Sequence, residues 1–431
     1  MRRSIDPLWR DPDFGRLWAA TTVSQVGSFV TRTALPFTAI LVLGAGAAEV
    51  AVLRSAELVA ALTLGLFVGA WVDRLRRRPV MVWADAGRAV LLVSVPAGYL
   101  LGWLSVGQLI VVAFLGAVLT TFFDTADRAF LPVVAGRDRL VRANATLTAS
   151  SSAAEFVGFG LGGLLIQVLT APIALLLDAL SYVLSAVLLV RIRTVEPPPR
   201  PRQDRGPVLV EIAEGLRLTL GDPVLRPLAL ADAVVAGSWG VFGALILLYA
   251  TELGFPPAVI GLLAAIGGAS ALVGAVVADR GARRVGVGRF LSVSMLVAAI
   301  GAVFIPLAPD GGLLGFSCLL AQQLIMDGAL TAFDVVAVSV RQGSVEDAAL
   351  GRVSASFRVL AMGAMLIGTI VAGVVGEAIG LRPALALAAG AAFLAPLIVR
   401  TSAAHRLGDL PVGLGATGGP VEAGVEVPLG E

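Results

Sequence analysis

GAWVDRLRRRP, residues 69–79, closes a long apolar run with five charges in six residues, and nearly the same phrase, GAVVADRGARR, returns at residues 274–284. An apolar run that stops at clustered arginines reads as a helix leaving a membrane, because charge is costly in hydrocarbon and arginine is favoured at the interface. The rest of the chain agrees. Its 431 residues are 57% hydrophobic and 14% charged, with mean hydropathy +0.90, against roughly 45–50% apolar residues in soluble domains.

Working outward, apolar runs of spanning length, about 20 residues each, fall near residues 17–43, 50–72, 79–101, 106–128, 143–169 and 172–190. A second set falls near 227–250, 258–278, 289–308, 313–335, 357–379 and 382–400. The pattern predicts an all-α membrane protein of twelve transmembrane helices. The run from Leu17 is too long for a signal-peptide core, so it is read as a retained helix.

Arginine placement supports this count. All but four of the 32 arginines (Arg32, Arg54, Arg88 and Arg382) fall on one side if the N-terminus is cytoplasmic, as the positive-inside rule requires. The domains expected are an N-terminal six-helix bundle over 1–190, a cytoplasmic linker over 191–226, a C-terminal six-helix bundle over 227–400, and a disordered tail over 401–431. The linker contains EPPPRPRQDRGP, then VLVEIAEGLRLTL, which reads either as an interfacial amphipathic helix or as a plain linker helix.

Composition excludes several chemistries. The chain has no lysine, so it lacks the residue a phosphate-binding loop needs. Its single cysteine, Cys318, and single histidine, His405, form neither a disulfide nor a Cys/His zinc site. No nucleophile with an adjacent base stands out, so no enzyme activity, cofactor or metal is expected.

The repeat is a duplication. Asp73, Arg74, Arg77 and Arg78 recur as Asp279, Arg280, Arg283 and Arg284, and Thr121, Phe123, Asp124 and Arg142 recur as Thr331, Phe333, Asp334 and Arg352. Parallel six-helix halves about a central cavity follow. At these residues the chain resembles the major facilitator superfamily, whose hallmark is a glycine followed by Asp-Arg-x-x-Arg-Arg; Gly69, Asp73, Arg74, Arg77 and Arg78 match it. SQVGSFVTRTALP and ADAGRA look like the exporters of drugs, macrolides and siderophores. Drug antiporters also carry Gly-Pro-x-x-Gly-Gly, but here Phe159 replaces the proline in Gly158-Phe159-Gly160-Leu161-Gly162-Gly163. Gly158, Gly162 and Gly163 then read as helix-packing positions.

The resemblance implies a latch. Asp73 would face the opposing half near the eleventh helix, and Arg74 or Arg77 would pair with Asp124 or Asp127 at the end of the fourth, forming when one face closes and breaking when it opens. Topology setting alone is the plainer account of the arginines. Within the membrane, Arg32 and Glu155 are expected near the midplane, where they either pair statically or let Glu155 carry a proton. Gln322, Gln323 and Asp327 are expected to line the cavity. Asp85 with Arg88 and Arg54 with Glu57 read as structural i,i+3 pairs.

These readings describe a proton-coupled secondary exporter of an amphipathic small molecule in the bacterial inner membrane. It would be a monomer with both termini cytoplasmic and with no nucleic-acid partner. An importer on the same scaffold and a non-transporting sensor are the alternatives.

Overall fold

The computed structural model describes residues 8–197 and 208–409. The proline-rich centre of the expected linker and most of the expected tail lie outside the described residues. Long apolar runs become helices because a helix satisfies every backbone group within its own segment, which lipid cannot do. The first half contains α1 (Pro12–Phe37), extended by a π-turn over Thr38–Val42, then α2 (Ala47–Val72), α3 (Arg77–Leu101), α4 (Val106–Ala135), α5 (Leu140–Val168) and α6 (Ala171–Val190). A 14-residue helix, α7 (Val208–Gly221), follows.

The second half contains α8 (Leu225–Glu252), α9 (Pro257–Val285) and α10 (Val287–Leu307). Next, α11 (Leu313–Gln322) runs through a π-turn at Gln323–Asp327 into α12 (Gly328–Ser344). Then come α13 (Asp347–Ile379), α14 (Leu381–Ala392) and α15 (Leu394–Arg400). Ten helical stretches among the described residues are long and apolar enough to cross a membrane. The 26-residue helices α1 and α2 stand outside that ten but pack in the same bundle. The protein is a multi-pass, all-α membrane protein.

Helices overrun the apolar runs. α13 starts ten residues before the expected span, because the polar residues that end an apolar run do not break a helix; proline and glycine do. This separates the two copies of the charged turn. In the first, Pro79 is tolerated only in an opening turn, so α2 ends at Val72 and α3 begins at Arg77. In the second, α9 continues through Asp279 and Arg283 until Gly286, whose φ of +86° few other residues adopt.

Three cores organise the molecule. At the arginine-rich end each half has its own: Phe14, Met81 and Phe130 belong to the first, and Leu291, Phe333 and Val353 to the second. At the opposite end one core runs through both halves, joining Val50 and Ile166 to Leu245 and Ala372. The halves are therefore fused at one end and separate at the other.

The expectation of disorder from residue 401 is corrected over residues 401–409. A short 3-10 turn, Ala403–Arg406, packs on α10, with Val287 N–H donating to Gly408 O at 3.1 Å and Gly288 N–H to Leu407 O at 2.9 Å. Buried Ala404 and the absent side chain of Gly288 permit the approach.

Candidate functional site

Small residues make the fused end. Gly163 on α5 lies against the backbone of Pro257 and Gly261 on α9; a Cβ on Gly261 would stand 2.6 Å from Phe159 O and 2.9 Å from Gly163 Cα. On the other side of the bundle Gly373 of α13 meets Ala48 and Ala51 of α2. Gln167 Oε1 accepts from Ala258 N–H at 3.2 Å across the same junction. Lipid gives helices little hydrophobic reason to associate, so close backbone packing of this kind holds them. Gly158 and Gly162 face α1 instead, at Phe29 and Val30.

Between the halves lies a cavity with two lobes, of about 630 and 640 Å³, that share Arg32. The lobe on the second half takes its charges from Glu155, Asp232, Asp327 and Asp334, with Arg32 and Arg54. The lobe on the first half takes Arg32, Arg88, Arg128 and Arg358, with Glu57 and Asp124. One lobe is predominantly acidic and the other predominantly basic.

The sequence-predicted residues distribute as follows. Arg32, Glu155, Gln322, Gln323 and Asp327 all line the acidic lobe. The expected Arg32–Glu155 pair is corrected: no ion pair within 4.0 Å joins them among the described residues, and the Arg32 guanidinium sits 5.0 Å from the centre of the Phe29 ring. Glu155 has Asp327 as its acidic neighbour across the interface. The π-turn at Gln323–Asp327 gives α11 an extra residue and re-aims its polar face, a common device at functional sites. Gln323 Nε2 donates to Leu263 O at 2.9 Å, and glycine at 267 leaves room for the Asp327 carboxylate against α9.

Two i,i+3 pairs form as expected, Arg54–Glu57 at 3.1 Å and Arg88–Asp85. Arg54, Glu57 and Arg88 nevertheless also line the cavity. Sequence reasoning missed the network around Arg88. Its guanidinium lies 4.2 Å from the Tyr182 ring centre and 4.5 Å from that of Phe123. Nearby, the Asp178 carboxylate accepts from Thr31 Oγ1 at 2.5 Å and Ser181 Oγ at 2.9 Å, and Tyr182 Oη is 2.9 Å from Ser28 Oγ. These residues come from α1, α3, α4 and α6, so no local spacing announces them. Asp334 had a signal, its place as the repeat counterpart of Asp124.

The charged turns differ from expectation. Arg77 does not pair with Asp124 or Asp127 in this conformation. Its backbone N–H donates to Glu196 Oε1 at 2.6 Å and its Nη1 to the same oxygen at 3.3 Å, while Arg78 N–H donates to Glu196 Oε2 at 3.3 Å. Glu196 thus caps α3, where free N–H groups favour a carboxylate. Asp124 lines the basic lobe, and Asp127 Oδ1 is buried with no partner among the described residues. The Asp73 carboxylate and the Arg74 guanidinium make no hydrogen bond or ion pair among the described residues. In the second copy Arg283 Nε pairs with Asp279 Oδ1 at 2.8 Å on an exposed face, while Arg280 and Arg284 make no side-chain hydrogen bond or ion pair among the described residues; in the first copy a Cβ on Gly69 would meet nothing within 4 Å.

Two helical halves that share a core at one end and flank a charged cavity define a membrane transport protein. The chain belongs to the major facilitator superfamily, whose model matches residues 17–327. It is 33% identical over 229 residues to the multidrug efflux pump Tap of Mycolicibacterium fortuitum, an alignment covering 51% of this chain and 55% of that protein. The chain thus spans about half the length of the first curated relatives it matches. Solved structures share the fold: the nucleoside transporter NupG, with TM-score 0.75 at 12% identity, covers 90% of this chain and 98% of its own. A bacterial homologue of the iron transporter ferroportin in its inward-facing state has TM-score 0.71 at 19% identity and covers 91% and 98%.

Proposed function

We propose that the protein is a proton-coupled exporter of amphipathic organic compounds in the bacterial inner membrane, with twelve crossings, both termini cytoplasmic and alternating access between its halves. The observation that carries this reading is the single core at one end against two at the other. Such a molecule has a hinge and a mouth, and rocking exchanges them. With the arginine-rich face cytoplasmic, the mouth opens inward. The efflux pump relatives support the outward direction.

In this reading Glu155 carries the proton, and Asp73 belongs to a latch that forms when the mouth closes. Glu196 then holds Arg77 and Arg78 in the open state, so closure exchanges partners at the first charged turn. The test uses inside-out vesicles with an imposed proton gradient reported by an acridine dye. Adding amphipathic compounds should dissipate the gradient and accumulate compound inside. Asp73→Asn should cut that flux at least tenfold with membrane insertion unchanged, and Glu155→Gln should abolish it. Wild-type flux in Asp73→Asn would remove the latch, and compound moving only the other way would make the protein an importer.

A further inference from the structure

The acidic lobe contains a pair of carboxylates drawn from opposite halves, Glu155 of α5 and Asp327 at the end of the π-turn. Ionised carboxylates taken out of water require a cation or a donor. Asp327 Oδ1 is buried and has no hydrogen-bond partner among the described residues, and Glu155 is a neighbour of like charge. Of the lobe's two arginines, Arg54 is paired with Glu57, and Arg32 lies over the Phe29 ring. The remaining acids, Asp232 and Asp334, have Arg341 beside them, its guanidinium held 4.6 Å from the Phe357 ring centre.

A third group points the same way. Gln322 is only 5% exposed and lines this lobe. Its Nε2 has just a 4.0 Å contact to Met326 Sδ, and no donor among the described residues reaches its amide oxygen. A buried carboxamide is ordinarily hydrogen-bonded. Its open oxygen, added to two carboxylates, gathers acceptors that receive no hydrogen bond among the described residues. The walls beside these groups are apolar and aromatic, with Phe159, Trp239, Leu263 and Met365. Aromatic faces also attract cations.

Resting on the transport reading above, we infer that the acidic lobe is a binding site for an organic cation, its charge held between Glu155 and Asp327 with the Gln322 amide oxygen, and its apolar body against Trp239 and Phe159. Since the two carboxylates belong to different halves, a bound cation screens their repulsion and draws the halves together. The substrate itself thereby favours the change of state.

The probe is tetraphenylphosphonium, measured by equilibrium dialysis of radiolabel against the purified full-length protein. Tetraphenylborate, of the same shape and opposite charge, is dialysed in a separate experiment because the two ions precipitate together. Tetraphenylphosphonium should bind saturably, and tetraphenylborate should not. Glu155→Gln and Asp327→Asn should each weaken binding at least tenfold, and Gln322→Ala about threefold, while Glu155→Asp stays within threefold of wild type. Variants are compared only when they elute as a single sharp species of wild-type size. Wild-type affinity in both Glu155→Gln and Asp327→Asn would overturn the inference, as would equally tight saturable binding of tetraphenylborate or no saturable binding of tetraphenylphosphonium. The vesicle assay decides the transport reading separately: flux of uncharged compounds without cation binding sinks only this inference, and cation binding without flux of any compound sinks the transport reading.

Discussion

The two lobes of one cavity treat charge in opposite ways. In the first half Arg88 is 4% exposed, paired with Asp85 and enclosed by the rings of Phe123 and Tyr182, while Asp178 accepts two hydroxyl hydrogen bonds. In the second half Asp327 keeps a buried oxygen with no partner, and Gln322 has an open amide oxygen. The cost of desolvating a charge is offset either by a built-in partner or by a ligand. Arg88 and Asp178 are held by built-in partners and read as fixed structure; Asp327 is not, and binding is expected beside it.

The hardest test of this contrast sets Arg88→Leu against Asp327→Asn. Removing Arg88 strands the Asp85 carboxylate, and breaking a buried pair in this way costs about 3–5 kcal/mol. A large fall in melting temperature is expected in detergent. Asp327→Asn removes no internal partner and relieves the desolvation of a buried carboxylate, so its melting temperature should not fall below that of wild type. Equal destabilisation by both would erase the distinction between the lobes.

A smaller effect probes the junction that keeps the lobes facing one another. The Gly261→Val side chain would press on Phe159 O and Gly163 Cα, backbone atoms that cannot rotate away. Transport should fall about tenfold, and a cysteine introduced near Gln167 should become reactive to a membrane-impermeant reagent from the fused end. An unreactive cysteine would mean that the junction is not a closely packed seal.

The smallest effect lies outside the membrane, where the first half anchors the start of the linker. Burial works against the Asp13 charge. Hydrogen bonds from the Thr194 hydroxyl, Arg193 N–H, the Arg16 guanidinium and Thr194 N–H outweigh it, and hold the carboxyl below its ordinary value of 3.8. A depressed folded value contributes stability above the unfolded pKa, and that contribution is lost as pH falls through the folded value. Wild type should therefore melt slightly above Asp13→Asn at pH 7, and the gap should close as pH drops below about 4. A gap unchanged between pH 7 and pH 3 would assign the effect to packing instead.

The positions that the sequence announced share one property: their signal is local or periodic. The apolar runs, the arginine sidedness and the offset copies of Asp-Arg-x-x-Arg-Arg each follow from what lipid does to a segment, wherever its neighbours lie. Arg54–Glu57 and Arg88–Asp85 were legible for the same reason, since i,i+3 spacing on a helix brings them together. Gln322, Gln323 and Asp327 were visible as polar residues in an apolar run, although the π-turn that aims them was not.

Partners drawn from different helices were not legible. Glu196 rather than Asp124 receives Arg77 because the chain after α6 returns to the start of α3, and Glu155 faces Asp327 rather than Arg32 because α5 crosses α9 at glycines from both halves. A duplicated, membrane-spanning helical chain with clustered arginines was readable from residue order alone, because hydrocarbon acts on each segment independently. Which end is closed and which carboxylates lack partners emerged from packing, because both depend on how close two backbones come, and that distance is set by residues far apart in the chain.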